Sequence, residues 1–185
     1  MGGTFDPIHF GHLIMAESIM HSVRADGMLF VPARIHPFKP QTILTNYAER
    51  VEMVQLAIED NRRFRLEEPP RHSGYTIDLI DHVRHRYPKS EFFLPVGSDI
   101  LDEFESWHKG EEIARSIRII VASRPGYRRA NRDSQVLVGA EWMEIPQYDL
   151  SSTEIRKRVR MHLSVKYMVP AAVEKYILDR GLYVG

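Results

Sequence analysis

The chain contains no cysteine, which excludes a disulfide framework and a thiolate zinc site. It also has no excess charge of either sign, since 25 Lys plus Arg residues offset 25 Asp plus Glu. Nucleic-acid-binding domains are usually strongly basic, so this balance argues against a nucleic-acid partner. It leaves room for a local basic pocket around a small anion. No apolar run approaches the ~20 residues that a membrane span needs, and the N-terminus has no signal-peptide pattern. A cytoplasmic protein with no membrane partner is therefore expected. Internal repeats and low-complexity segments are absent too. What is present is 185 residues, 43% hydrophobic and 27% charged, enough for one folded domain with a sizeable core.

Apolar, β-rich runs alternate with helical patterns, which predicts an α/β fold with a Rossmann-like, doubly wound parallel sheet in a single domain spanning residues 1–185. The expected strands are Met28–Val31, Glu91–Val96 and Ile117–Ala122, with shorter ones at Phe64–Leu66 and Trp142–Ile145. A first helix is expected from about Gly11 to His21, with Leu13, Ala16 and Met20 on its buried face. Asn46 and Glu49 form a capping box for a second, which buries Val51, Val54 and Ile58. A third covers about Thr76 to Arg86. Ser151 and Glu154 form another capping box, for a helix with Ile155, Val159 and Leu163 on its apolar face. The last starts at Pro170 as first helical residue and stops at Gly181.

The segment Gly2-Gly3-Thr4-Phe5-Asp6-Pro7-Ile8-His9-Phe10-Gly11-His12 carries the most chemistry. Gly2 and Gly3 let backbone N–H groups approach a ligand closely. Asp6-Pro7 favours a turn. His9 and His12 flank Gly11 where a helix begins, so imidazole donors and the positive helix end converge, an arrangement suited to a polyphosphate. Two other readings stand beside it. The histidines could be paired metal ligands, though no third ligand is fixed in sequence, or ordinary surface residues among nine histidines. A glycine-rich phosphate loop should follow a strand, and none fits before Gly2, so the first strand is expected to be truncated.

The second chemical element is Ser151-Ser152-Thr153-Glu154-Ile155-Arg156. Hydroxyls at a helix N-terminus with an arginine one turn on can hold phosphate oxygens. Ser151 and Glu154 are also explained as a helix cap, which leaves Arg156 unaccounted for.

Together, His9-Phe10-Gly11-His12 and Ser151-Ser152-Thr153-Glu154-Ile155-Arg156 resemble the paired signatures of a nucleotidyltransferase superfamily, H-x-G-H near the start and S-[ST]-T-x-[IV]-R near the end. Further segments resemble the nicotinate mononucleotide adenylyltransferase family in order along the chain. They are Gly2–His9, Gly74-Tyr75-Thr76-Ile77-Asp78-Leu79, Gly97-Ser98-Asp99 with Trp107 downstream, Arg124-Pro125-Gly126-Tyr127, and the ending from Val169-Pro170 to Tyr183.

That resemblance implies transfer of AMP from ATP to nicotinate mononucleotide, with Mg²⁺ carried by ATP and no metal held by the protein itself. It implies that Gly2, Gly3, Thr4, His9, His12, Lys39, Arg124, Ser152, Thr153 and Arg156 bind ATP, with His12, His9 and Arg156 catalytic. It further implies that Lys39, Tyr75, Thr76, Asp99, Trp107 and His108 bind the nicotinate nucleotide. The family's usual Pro-His-Lys/Arg appears here as Pro37-Phe38-Lys39. Phe38 cannot donate to phosphate, so only Lys39 carries over. Trp107 has the alternative of simple core packing. Phosphopantetheine adenylyltransferase shares both signatures, and a non-catalytic nucleotide-binding protein of the same fold is the reading from a different class. A homo-oligomer is compatible with the sequence.

Overall fold

The structure is a computed structural model that describes residues 1–34, 45–70, 74–98, 104, 106–123, 139–146 and 149–184. In chain order its elements are β1 (Gly2–Gly3), α1 (Phe10–Ser22), β2 (Met28–Pro32), α2 (Tyr47–Ile58), β3 (Phe64–Leu66) and α3 (Thr76–Arg86). They continue with β4 (Phe93–Gly97), α4 (Gly110–Ser116), β5 (Arg118–Ser123), β6 (Glu141–Glu144), α5 (Ser152–Arg160) and α6 (Ala171–Asp179). Backbone contacts divide the chain into two compact units, Gly2–Glu68 with Tyr148–Gly185, and Met1 with Pro69–Gln147. Among the described residues, no helix is long and apolar enough to cross a membrane.

The first unit holds a parallel sheet ordered β1-β2-β3. Gly2 and Gly3 lie opposite Val31 and Pro32, so among the described residues a two-residue first strand is present and the loop follows it. Helix α2 packs on β2, β3 and α6. Its capping box is formed as expected, with the Glu49 N–H donating to Asn46 Oδ1 at 2.9 Å and the Asn46 N–H to Glu49 Oε2 at 3.3 Å. Its buried face differs from the expected one. Val54 and Ile58 are buried, Val51 only partly, and Arg50 and Met53 take core positions. In α1, Ala16 and Met20 are buried as expected, but Ile19 completes the stripe in place of the half-buried Leu13.

Near the C-terminus, Ser151 Oγ accepts from the Glu154 N–H at 3.2 Å and starts α5. The helix ends at Arg160, so Leu163 falls beyond it and is exposed. Pro170 is the N-cap of α6 rather than its first helical residue. Gly181 takes a left-handed φ of 58°, which glycine adopts at little cost just past a helix end.

The second unit holds a parallel sheet ordered β4-β5-β6, with α3 and α4. In β5, the consecutive residues Ile119, Ile120, Val121 and Ala122 are all buried. A parallel strand covered on both faces reads as a continuous apolar run rather than an alternation. The core gathers Ile77 and Ile80 from α3, Val96 from β4, Ile113 from α4, and Phe104. Helix α4 escapes sequence reasoning because seven residues are too few to show a helical period. Its charges are nonetheless ordered for the helix dipole, with Glu111 and Glu112 in the first turn and Arg115 in the last.

Candidate functional site

The loop from β1 into α1 folds tightly because its small residues let it. A Cβ on Gly3 would stand 2.9 Å from the Phe5 ring, closer than any side chain tolerates. Phe5 itself has φ 52° and is buried, its ring meeting Phe30 and the edge of His12 at centroid distances of 6.0 and 5.1 Å. The expected turn is present at Asp6-Pro7, whose peptide is cis. Ile8 is fully buried and anchors the loop ahead of the helix.

His9 is the N-cap of α1 and His12 lies on the helix's first turn. Their rings stack at 3.7 Å between centroids, 26° apart. The His9 backbone N–H donates to His12 Nδ1 at 3.2 Å. A neutral imidazole that accepts at Nδ1 carries its proton on Nε2, so His12 is set as an Nε2 donor. A Cβ on Gly11 would come within 3.0 Å of the His9 ring. The glycine between the histidines is therefore room for His9, as well as the entry to the helix.

Bonds from distant parts of the chain hold this loop. Arg50, itself buried, donates from Nη1 to the carbonyls of Thr4 and Ala33, both at 2.7 Å. Burial pushes its guanidinium pKa down, while the Asp6 charge opposes that shift. Arg156 Nη1 donates to the Asp6 carbonyl at 2.8 Å, and its Nη2 to Thr153 Oγ1 at 3.2 Å. Ser152 Oγ donates to the Pro7 carbonyl at 2.9 Å. The buried Asp6 carboxylate accepts at Oδ1 from Thr45 at 2.5 Å and from the Tyr183 hydroxyl at 2.8 Å. Ser152 and Arg156 thus bind the opening loop directly, a task not foreseen from the sequence.

In the other unit, Thr76 is the first residue of α3, preceded by Tyr75 as its N-cap. The Tyr75 and His108 rings lie 4.3 Å apart between centroids, tilted by 32°. Tyr75 is about half exposed, at 49%, which leaves aromatic surface for a planar ligand. Trp107 packs at 5.0 Å on Phe104 at the border of the apolar cluster, so the core reading of this residue is part of the answer. Tight turns bring the two aromatics together, with the Trp107 N–H donating to the Phe104 carbonyl at 3.1 Å.

The structure therefore brings Gly2, Gly3, Thr4, His9, His12, Ser152, Thr153 and Arg156 into one unit, and Tyr75, Thr76, Trp107 and His108 into the other. Lys39, Asp99 and Arg124 lie outside the described residues. Sequence reasoning missed Arg50, Thr45 and the Asp6–Tyr183 pair. The one available signal was an arginine on the apolar face of α2, between Met53 and the helix start, where a solvated charge does not belong.

Residues 1–158 match the family model described as Cytidylyltransferase-like. A probable nicotinate-nucleotide adenylyltransferase of Bacillus pumilus (strain SAFR-032) is 37% identical, over 98% of this chain and 95% of that protein. The nicotinate-nucleotide adenylyltransferase of Bacillus subtilis (strain 168) is 35% identical, over 98% and 95%. Among solved structures, Plasmodium falciparum nicotinic acid mononucleotide adenylyltransferase complexed with NaAD superposes with a TM-score of 0.79 at 22% identity, over 98% of this chain and 94% of that one. That likeness is one of fold.

Proposed function

The chain belongs to the cytidylyltransferase-like family and within it to the nicotinate-nucleotide adenylyltransferases, and from that premise we propose how its residues divide the reaction. The enzyme transfers AMP from ATP to nicotinate mononucleotide, giving nicotinate adenine dinucleotide and pyrophosphate in NAD biosynthesis. The 5′-phosphate of the acceptor attacks the α-phosphorus of ATP and pyrophosphate leaves. A phosphate monoester has its second pKa near ~6, so it is mostly dianionic at neutral pH and needs no general base. Catalysis then rests on positioning and on stabilising charge that develops on phosphate oxygens.

His12 supplies that stabilisation from Nε2, and His9, stacked on it, lies alongside the phosphates. The backbone of Gly2, Gly3 and Thr4 and the start of α1 cradle the rest of the chain of phosphates. Arg156 keeps further N–H donors beyond those bonded to Asp6 and Thr153, and these, with Ser152 and Thr153, face the polyphosphate. Lys39 serves the triphosphate or the incoming phosphate, Asp99 the ribose and Arg124 the adenine. Mg²⁺ arrives as part of the ATP substrate and neutralises the pyrophosphate charge.

Tyr75 and Trp107 border the nicotinate ring. Backbone N–H groups near Thr76 and His108 receive its carboxylate, and the NH₂ of a nicotinamide would instead face donors there. The observation that carries the whole reading is the His9–Gly11–His12 arrangement, in which one backbone bond fixes the donor nitrogen of His12. The test is pyrophosphate release from Mg²⁺ and ATP with nicotinate mononucleotide, nicotinamide mononucleotide or phosphopantetheine as acceptor. Turnover led by the nicotinate acceptor is expected. Equal kcat/KM for the two mononucleotides would remove the carboxylate site, and turnover with phosphopantetheine alone would replace the reading.

A further inference from the structure

After α6 the chain reverses sharply. The Leu182 N–H donates to the Ile177 carbonyl at 3.0 Å and the Gly181 N–H to the Leu178 carbonyl at 3.1 Å. Two residues later Tyr183 adopts φ 66°, a left-handed conformation that L-residues with large side chains disfavour. The reversal drives the Tyr183 ring inward, to 6% exposure, beside the buried Leu182, while the next residue, Val184, remains exposed. Filling a core would need only a phenyl ring. Here the hydroxyl is aimed at Asp6 Oδ1 at 2.8 Å, with Met53 Sδ at 4.0 Å.

Asp6 is held on two sides. Its carboxylate takes hydroxyl donors from Thr45 and Tyr183, and its carbonyl takes Arg156. The next carbonyl, of Pro7, takes Ser152. His9, whose N–H sets His12, follows two residues later. The side chain of Asp6 does no chemistry in the proposed reaction, yet its partners lie 39 and 177 residues away in the chain.

We propose that Tyr183 is a positioning residue for adenylyl transfer, acting through the Asp6 carboxylate to hold the loop that presents His9 and His12; the inference rests on the function proposed above. Burial and the neighbouring Asp6 charge push the Tyr183 phenol far above its ordinary value, so the hydroxyl remains a donor at any working pH. A loop freed at Asp6 shifts the histidines by a fraction of an ångström, enough to lower the rate without abolishing ligand binding. The device thereby links the extreme C-terminal turn to the start of the chain.

The test is steady-state pyrophosphate release by the full chain with Mg²⁺, ATP and nicotinate mononucleotide, alongside thermal melting to establish that each variant is folded at assay temperature. Tyr183→Phe should lower kcat about tenfold while KM for nicotinate mononucleotide stays within about twofold. In an Asp6→Asn background the same change should cost less than about threefold, because the two residues act as one unit. If Tyr183→Phe does not fold, Thr45→Val and Thr45→Ser carry the test through the other donor to Asp6. The valine should lose activity and the serine, which keeps the hydroxyl, should retain it. A parent-like kcat in folded Tyr183→Phe, or penalties for Tyr183→Phe and Asp6→Asn that simply multiply, would overturn the inference while the function stands. An inactive parent enzyme would overturn both.

Discussion

The backbone N–H of His9 donates to Nδ1 of His12 at 3.2 Å, and this bond decides which nitrogen of the His12 ring offers a proton. The chain's local fold thereby sets the tautomer before any ligand arrives. Removing one preorganised donor to a developing oxyanion typically costs roughly 10²–10³ in kcat. His12→Ala should fall in that range while melting like the parent. His12→Gln, whose amide NH₂ reaches near the Nε2 position, should retain more activity than His12→Asn, whose NH₂ sits near Nδ1. A parent-like turnover in His12→Ala, or asparagine outperforming glutamine, would remove His12 from the role assigned to it.

Gly11 bears on the same pair. The Cβ of an alanine there would lie 3.0 Å from the His9 ring, so the ring must yield by a few tenths of an ångström. Alanine suits a helix interior better than glycine by about 1 kcal/mol, and less in the first turn where Gly11 lies, so stability should hold or rise slightly. Gly11→Ala should nonetheless lower kcat, by about tenfold, through misplacement of His9. Paired melting and kinetic measurements would check this, and the prediction fails if activity follows stability upward.

Arg50 bridges two backbone carbonyls just beyond the paired strands β1 and β2, that of Thr4 in the loop and that of Ala33 after β2. Arg50→Met keeps most of the stem but takes this donor from both carbonyls and removes one of the two cations near Asp6, leaving Arg156. Losing two hydrogen bonds from a charged donor costs about 3–6 kcal/mol. For a chain of this length that corresponds to a fall in Tm of about 10 °C. A melting curve within about 3 °C of the parent would contradict this account.

Alkaline stability gives an independent reading of Tyr183. Its folded pKa is raised above the ordinary value of 10.0, first by burial and then by Asp6. In the unfolded chain the phenol loses its proton near pH 10, while in the folded one it keeps it. The stabilisation is therefore complete below about pH 10 and is lost as pH rises beyond it, by about 1.4 kcal/mol per pH unit for one proton. Denaturant titrations from pH 9 to 11 should show a shallower decline in Tyr183→Phe than in the parent. Identical slopes would mean that the phenol is not buried as a donor.

Much of the fold could be read directly. Helix α3 and strand β3 have the expected bounds, because apolar periodicity and turn signals act within a few positions. The inaccurate parts were side-chain destinations, such as Leu13 and Val51, whose burial depends on which element packs against each turn. Helix α4 was missed for want of length. Within the site, His9, Gly11 and His12 were evident because their chemistry and spacing are local. Ser152 and Arg156 were identified as polar residues at a helix start, but their bonds to Pro7 and Asp6 span some 145–150 positions that no pattern of spacing encodes.

The sequence by itself determined the alternation of strands and helices, the glycine-rich character of the opening loop, and the identity of its donor groups. These are consequences of local sterics, periodicity and functional-group chemistry. Only the tertiary structure decided which nitrogen of His12 donates, that Arg50 is a buried brace, and that Tyr183 reaches back to Asp6. The Arg50 and Tyr183 bonds exist only once separate elements have packed, whereas the His9–His12 bond is local and needs only the three-dimensional form of the helix start. A buried polar group takes whatever partner the fold brings within about 3 Å, wherever that partner lies in the chain.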